Sequence, residues 1–328
     1  MARQNINQRL FDVHGINTNK NLKIKTVCPR PFDTLLFDRN GQAFACECQS
    51  WLPLPVGNIQ IQTVDQILDS HKLADIKSTM QDGSYKYCNN HQCTYIKWRK
   101  FDTNKLVSHI RLAVDESCNL SCPSCRTQPI FIGKGPALKR KKGWIDKIIE
   151  WISNQEHNVK VHIGSDGDPF ASLVYRYFMK RMGELELPNV SFAFQTNGLL
   201  LKKMYARTKY IFDNLYTLNI SIDGATKPTY EKLRRGGSFN KIIENFEFIK
   251  TIKKFPVYLH TVVQKENWRE MPAMIDLAEK YGFEKVYFTQ IGDWNTGIDM
   301  EEQRKTFALP EYQLMASEVD KNKISRLF

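Results

Sequence analysis

No run of apolar residues in this 328-residue chain approaches the roughly 18–20 that a membrane span requires. The first residues, Met1-Ala2-Arg3-Gln4-Asn5-Ile6, have no apolar core, so they do not read as a secretory signal. Together these absences point to a soluble, cytoplasmic protein. There is no charged tail either. Residues 1–105 hold 14 basic and 9 acidic side chains and the rest hold 33 and 26, so the net charge of +12 is spread along the chain. One local block, Lys139-Arg140-Lys141-Lys142, reads as a solvated helix start, with contact to phosphate or an acidic substrate as the alternative. Internal repeats and low-complexity segments are absent, and no cysteine follows Cys125.

The eight cysteines fall into two groups: Cys28, Cys46, Cys48, Cys88 and Cys93, then Cys118, Cys122 and Cys125. A disulfide framework is not expected in a cytosolic chain of this size, and clustered thiols there bind metal or carry redox chemistry.

From about residue 106, short β-rich runs alternate with amphipathic stretches. Strands are expected at 106–114, 159–163, 190–195, 217–222, 257–263 and 285–290. Trp144, Ile148, Trp151 and Ile152 form one helical stripe, and Ile242, Phe246 and Ile249 another; Ser238 and Gly282 are candidate caps. Six β-then-α units imply a parallel sheet, too few for a closed eight-fold barrel but suited to a partial (β/α)6 barrel of the α/β class. Residues 1–105 read as a small cysteine-rich α+β domain. It has a hairpin over 34–46 turning at Asn40-Gly41 in a type I′ turn, then Gly57-Asn58-Ile59 and a helix over about 64–79. Such a piece buries little apolar area and invites a stabilising metal.

Cys118-Asn-Leu-Ser-Cys122-Pro-Ser-Cys125 follows the first barrel strand directly. Three thiolates would gather at the strand's C-terminal end, where parallel α/β folds place their active sites. Three ligands suit three irons of a [4Fe–4S] cube and leave the fourth iron open, whereas zinc wants a fourth protein ligand.

This C-x3-C-x2-C spacing after the first strand of a partial barrel resembles the radical S-adenosylmethionine (SAM) superfamily. Gly164-Ser165-Asp166-Gly167-Asp168-Pro169 after the second strand resembles the family's Gly-Gly-Glu-Pro element. Thr196-Asn197-Gly198 after the third resembles its Thr-Asn-Gly. Ser221-Ile222-Asp223-Gly224 and the stretch Arg234-Arg235-Gly236-Gly237 resemble its Ser-x-Asp-Gly and Arg elements. The resemblance implies a cluster on Cys118, Cys122 and Cys125, and SAM held by Gly167, Asp168, Asn197, Ser221, Asp223 and Arg234. Asp168 would take the SAM ammonium and Arg234 its carboxylate. Asp168 stands where Glu is usual, one methylene shorter. The upstream cysteines resemble the auxiliary-cluster module called twitch, a shortened SPASM, which implies a second [4Fe–4S] cluster on Cys28, Cys46, Cys88 and Cys93. Here the module precedes the barrel instead of following it. Cys48 reads as a spare thiol or as a replacement for Cys46, and structural zinc with His91 or Cys48 as a ligand is the bland reading of that site.

The expected organisation is an auxiliary-cluster domain over 1–105, a radical SAM partial barrel over 106–295 and a helical extension over 296–328. The resemblance implies reductive cleavage of SAM and hydrogen abstraction from a substrate, a peptide or protein side chain first, a nucleotide, sugar or RNA second. The partner implied is a one-electron reductant such as flavodoxin or ferredoxin. The 27 residues before Cys28 leave no room for a leader-binding domain, which weighs against independent leader recognition. No acid or base catalyst stands out, since His162 and His260, on expected strands, read as core residues. From another class, a non-catalytic zinc or iron–sulfur protein that binds nucleic acid or carries electrons remains open.

Overall fold

The computed structural model describes residues 28–47, 49, 51–89, 93, 106–293, 295–322 and 324–327. Ten strands form one open sheet among these residues: β1 (Thr34–Phe37), β2 (Gln42–Phe44), β3 (Pro55–Asn58), β4 (His109–Leu112), β5 (Val159–Ile163), β6 (Val190–Thr196), β7 (Leu215–Ser221), β8 (Val257–Val263), β9 (Lys285–Gln290) and β10 (Ser325–Leu327). Their order is β10-β9-β8-β7-β6-β5-β4-β1-β2-β3. The helices are α1 (Arg30–Asp33), α2 (Val64–Leu68), α3 (His71–Gln81), α4 (Pro136–Ser153), α5 (Leu173–Leu185), α6 (Leu201–Tyr205), α7 (Lys209–Asp213), α8 (Lys227–Leu233), α9 (Phe239–Ile252), α10 (Met271–Tyr281), α11 (Met300–Phe307) and α12 (Pro310–Lys321). No described helix is long and apolar enough to cross a membrane.

The six expected strands are present as β4 to β9, all parallel. Two parallel neighbours were not expected. At one edge β10, from the stretch read as wholly helical, pairs with β9; at the other, β1 pairs with β4 through Leu36↔Arg111 and Phe37↔Leu112. The cysteine-rich segment therefore shares the barrel's sheet, and one apolar core runs through both, from Phe37 and Ile67 to Ile110 and Trp144.

Alternation along the strands sorts the two faces of the sheet. Ile110, Leu112, Val161 and Ile163 are buried on the helix side, as are Trp144, Ile148, Trp151 and Ile152 of α4. The intervening positions on the concave side are polar: Arg111, His162, Gln195, Ser221 and His260. Branched aliphatic residues usually fill a closed barrel at this level, so the open one keeps a polar inner face.

Local details depart from expectation in two places. Asp38 and Gly41 close the hairpin, with Gly41 N donating to Asp38 O at 3.0 Å and the Asp38 carboxylate accepting from Asn40 N and Gln42 N at 2.9 and 2.8 Å. Gly41 has φ +78° but Asn40 is not left-handed, so a type I turn with a left-handed glycine replaces the expected I′ turn. The helix expected at 64–79 is two helices: Thr63 and Gln66 form a capping box on α2, and Ser70 starts α3 by accepting from Leu73 N. Ser238 and Gly282 act as the expected caps of α9 and α10.

Two lysines on α4 dock the N-terminal segment. Lys147 Nζ donates to the carbonyls of Ile59, Gln60 and Gln62 at 2.8, 3.2 and 3.1 Å. Lys141, from the basic block, is buried and donates to Arg39 O and Val114 O. One of the four block residues is thus a tie in the interior, not a surface charge.

Candidate iron–sulfur and SAM site

After β4 the chain enters a long loop that carries Cys118, Cys122 and Cys125. An isolated antiparallel bridge between Cys118 and Ile130 folds the loop back on itself, and Cys125 N and Arg126 N both donate to Cys122 O at 2.9 Å. Each of the three sulfurs receives N–H donors. Leu120 N and Asn197 Nδ2 reach Cys118 Sγ at 3.4 and 3.8 Å, and Arg234 Nη1 reaches Cys122 Sγ at 3.9 Å. Arg126 Nε and Nη2 both reach Cys125 Sγ at 3.4 Å. Donors of this kind, three of the five on cationic guanidinium groups, favour thiolates. Burial opposes that, pushing Cys118 up to about 11 and raising Cys122 as well. A cationic cluster core that binds the sulfurs resolves the conflict, because coordination holds a thiol deprotonated. Among the described residues no three His, Cys, Asp or Glu side chains converge on a single metal ion. A cube does not require that convergence, since each thiolate binds a different iron.

Three strand-end loops pack against this one. The loop after β5 presses so closely that a Cβ on Gly167 would lie 2.6 Å from Ser117 O and 2.8 Å from Asp115 O; only glycine fits. Asp168, 1% exposed, is fully engaged. Its Oδ1 accepts from Phe170 N and Ala171 N at 3.0 and 3.1 Å, and its Oδ2 accepts from Thr196 Oγ1 and Asn197 N at 2.7 and 2.9 Å. Burial pushes this carboxyl up and the four donated bonds pull it back. The Asn197 side chain continues the link, donating to Asn119 Oδ1 at 2.9 Å and accepting from Leu199 N.

The loops after β7 and α8 supply the remaining residues. Ser221 Oγ accepts from Gln195 Nε2 at 2.6 Å. Asp223 accepts from Val262 N at 2.8 Å and pairs with Arg234 Nε at 2.7 Å, where the Arg234 side chain is 11% exposed. Burial opposes the Arg234 charge, but Asp223 and the Cys122 sulfur hold the guanidinium above its ordinary value. Arg235 is exposed yet latches the cysteine loop, donating to Ser121 Oγ at 3.0 Å and Thr127 O at 2.8 Å. Sequence reasoning missed Arg126, although a basic residue directly after a candidate cluster ligand was a usable signal. Besides Cys125 it holds the carbonyls of Glu116 and Asp166.

The N-terminal thiols also come together. Burial pushes Cys88 up to about 12, and Cys28, Cys46 and Cys93 are close enough to add to that shift. Cys28 and Cys46 are buried and Cys88 and Cys93 half-buried. Cys48 and His91 lie outside the described residues.

The model of the radical SAM superfamily matches residues 114–278, just over half of the sequence. The chain belongs to the radical SAM superfamily. A second model, an iron–sulfur cluster-binding (SPASM) domain, matches residues 28–94. The cofactors of such a radical SAM enzyme are a [4Fe–4S] cluster, an auxiliary cluster and SAM. Curated relatives include a GTP 3′,8-cyclase of Clostridium botulinum, 25% identical over 181 residues, covering 53% of this chain and 54% of that protein. Another, from Alkaliphilus metalliredigens, is 27% identical over 158 residues and covers 48% of each. The chain thus spans about half the length of the curated relatives it matches. Among solved structures, Streptococcus suis SuiB bound to precursor peptide SuiA has a TM-score of 0.47 at 14% identity, covering 78% of this chain and 61% of that one. Native anSMEcpe with bound AdoMet has a TM-score of 0.46 at 17% identity, covering 67% and 64%.

Proposed function

We propose that this radical SAM enzyme cleaves SAM reductively and uses the resulting radical to modify a peptide or protein side chain. The observation that carries the reading is the loop after β4, where each of three thiols meets N–H donors and three further strand-end loops pack on top. Cys118, Cys122 and Cys125 would hold a cluster that, once reduced by an external one-electron donor, would supply the electron that splits SAM into methionine and a hydrogen-abstracting 5′-deoxyadenosyl radical.

The chain's own residues then position and shield. Gly167, Asp168, Asn197, Ser221, Asp223 and Arg234 surround the SAM site in this reading. Asp168 and Asn197 act by tying the loops together, because their polar atoms are engaged within the protein. Arg234 neutralises charge beside Cys122, with Asp223 holding it in place. Cys28, Cys46, Cys88 and Cys93 would hold the auxiliary cluster, whose ligand segments join the barrel through β1 and β4.

A peptide substrate is supported by the SPASM match over 28–94 and by a sheet that does not close, leaving its polar inner face open to a large substrate. A nucleotide is the second reading, favoured by the GTP 3′,8-cyclases among the relatives. Stimulation of 5′-deoxyadenosine formation separates them: a peptide extract should raise it above the substrate-free level, and nucleoside triphosphates or RNA should not. RNA binding that weakens steeply with salt would shift the reading to nucleic acid.

A further inference from the structure

Among the described residues, two buried polar atoms on the concave face of the barrel have no hydrogen-bond partner: Arg111 Nε and His162 Nε2. They belong to neighbouring strands at the same level, since Arg111 of β4 is the register partner of His162 of β5. One such atom is an ordinary defect, but two unpartnered nitrogens on register-paired residues of an inner face ask for a ligand or ordered water. Arg111 is also held in place. Its Nη2 donates to Ser165 Oγ at 3.3 Å, in the loop that carries Gly167 and Asp168, and its Nη1 lies 3.9 Å from Glu47, beyond hydrogen-bond reach. Glu47 is committed elsewhere, paired with Arg30 at 2.9 Å. Arg111 Nε is thus left unpartnered among the described residues, beside an Nη2 that Ser165 holds.

We propose that Arg111 and His162 form a carboxylate-binding site on the inner face of the barrel, and that the substrate presents a carboxylate there. This deepens the peptide reading of the proposed function and rests on it. A planar carboxylate matches the Nε/Nη2 fork of arginine in two parallel bonds. The second group is the imidazole of His162, kept uncharged by burial and then by Arg111 and His260 nearby, which donates from Nε2 in its Nε2–H tautomer. Arg111 brings the positive charge to this position, with Glu47 3.9 Å from its Nη1 and itself paired with Arg30. His260 and Tyr287, with ring centroids 4.8 Å apart, wall the opposite side of the same face. The place is right for substrate: Ser165 ties Arg111 to the SAM-site loop, and β4 leads into the cysteine loop.

The test uses the reconstituted holoenzyme with SAM under anaerobic conditions, read by saturation-transfer NMR. The probes are N-acetylglutamate amide, its neutral isostere N-acetylglutamine amide, N-acetylalanine with a free carboxylate, and O-phosphoserine amide. A charge-assisted bidentate contact should make a carboxylate probe bind about tenfold or more tighter than the glutamine probe. The glutamate and alanine probes tell a side chain from a chain end. Arg111→Gln should abolish the preference, and His162→Gln should weaken it. Equal binding of the glutamate and glutamine probes would overturn the proposal without any variant. Preference for phosphoserine would overturn it in favour of a phosphate ligand, and no binding by any probe would leave only buried water at the site. Formation of 5′-deoxyadenosine by the wild-type enzyme tests the radical reading separately, so either can fail while the other stands.

Discussion

Asp168 offers the sharpest quantitative prediction. Its carboxylate accepts four hydrogen bonds, two within its own turn and two from the Thr196-Asn197 turn after the next strand. Hydrogen bonds to a charged group are worth about 1.5–3 kcal/mol each, but four in one network do not add. Asp168→Ala leaves four donors unpaired in a site that is 1% exposed. The expected loss is about 3–5 kcal/mol, the range seen when a buried charged network is broken. Asp168→Asn keeps the shape but turns an NH2 toward two donors, so about 2 kcal/mol is expected. Asp168→Glu restores the acid usual in the family yet forces a methylene into a packed turn, costing about 1–3 kcal/mol. Anaerobic urea unfolding of the three variants, followed by circular dichroism, measures all of this. An alanine variant within about 1 kcal/mol of wild type would refute the loop-tying role. A glutamate variant more stable than wild type would show instead that the turn has room for the extra methylene.

Further outcomes follow from the same geometry. Gly167→Ala places a Cβ 2.6 Å from a backbone oxygen of the cysteine loop, so it should lose about 1–3 kcal/mol and retain less iron after reconstitution. Arg234→Gln strands the buried Asp223 carboxylate and should cost about 3–5 kcal/mol in a urea titration, with Arg234→Lys losing less. Burial lowers His260 to about 4 from an ordinary 6.5, so the unfolded chain takes up a proton first as pH falls, and this contribution to stability disappears between those values. Between pH 7 and pH 5 wild type should lose about 2 kcal/mol more than His260→Gln, and parallel stability curves would contradict this. Cys88→Ala should leave about four irons per chain and keep SAM cleavage, and a variant with unchanged iron content would exclude Cys88 as a ligand.

Much of the barrel was legible because its strands carry their own signal. β5 and β8 match their expected ranges residue for residue, and the stripe on α4 is buried as its spacing implies. The misses share a cause: pairing between distant segments leaves no local trace. β10 is three residues long, too short for periodicity to show, and the parallel pairing of β1 with β4 joins segments some 75 residues apart. Ser70 was a readable cap inside the stretch expected as a single helix. At the site, the cysteine group after β4 could be picked out from its spacing, whereas Gly167 entered only through the family resemblance. The occupation of Asp168 could not, because Thr196 and Asn197 come from another loop, nor could the inward turn of Lys141 from a basic block. His162 and His260 looked like core residues, and strand register instead places them on the open inner face.

Cys118, Cys122 and Cys125 are proposed to hold a cluster that cleaves SAM. Reconstituting the protein anaerobically, counting iron, reducing with dithionite, adding SAM and measuring 5′-deoxyadenosine, with Cys122→Ala alongside, decides this. About eight irons per chain are expected, with 5′-deoxyadenosine that disappears in the variant. Zinc in place of iron, or a full complement of iron with no 5′-deoxyadenosine, would contradict it.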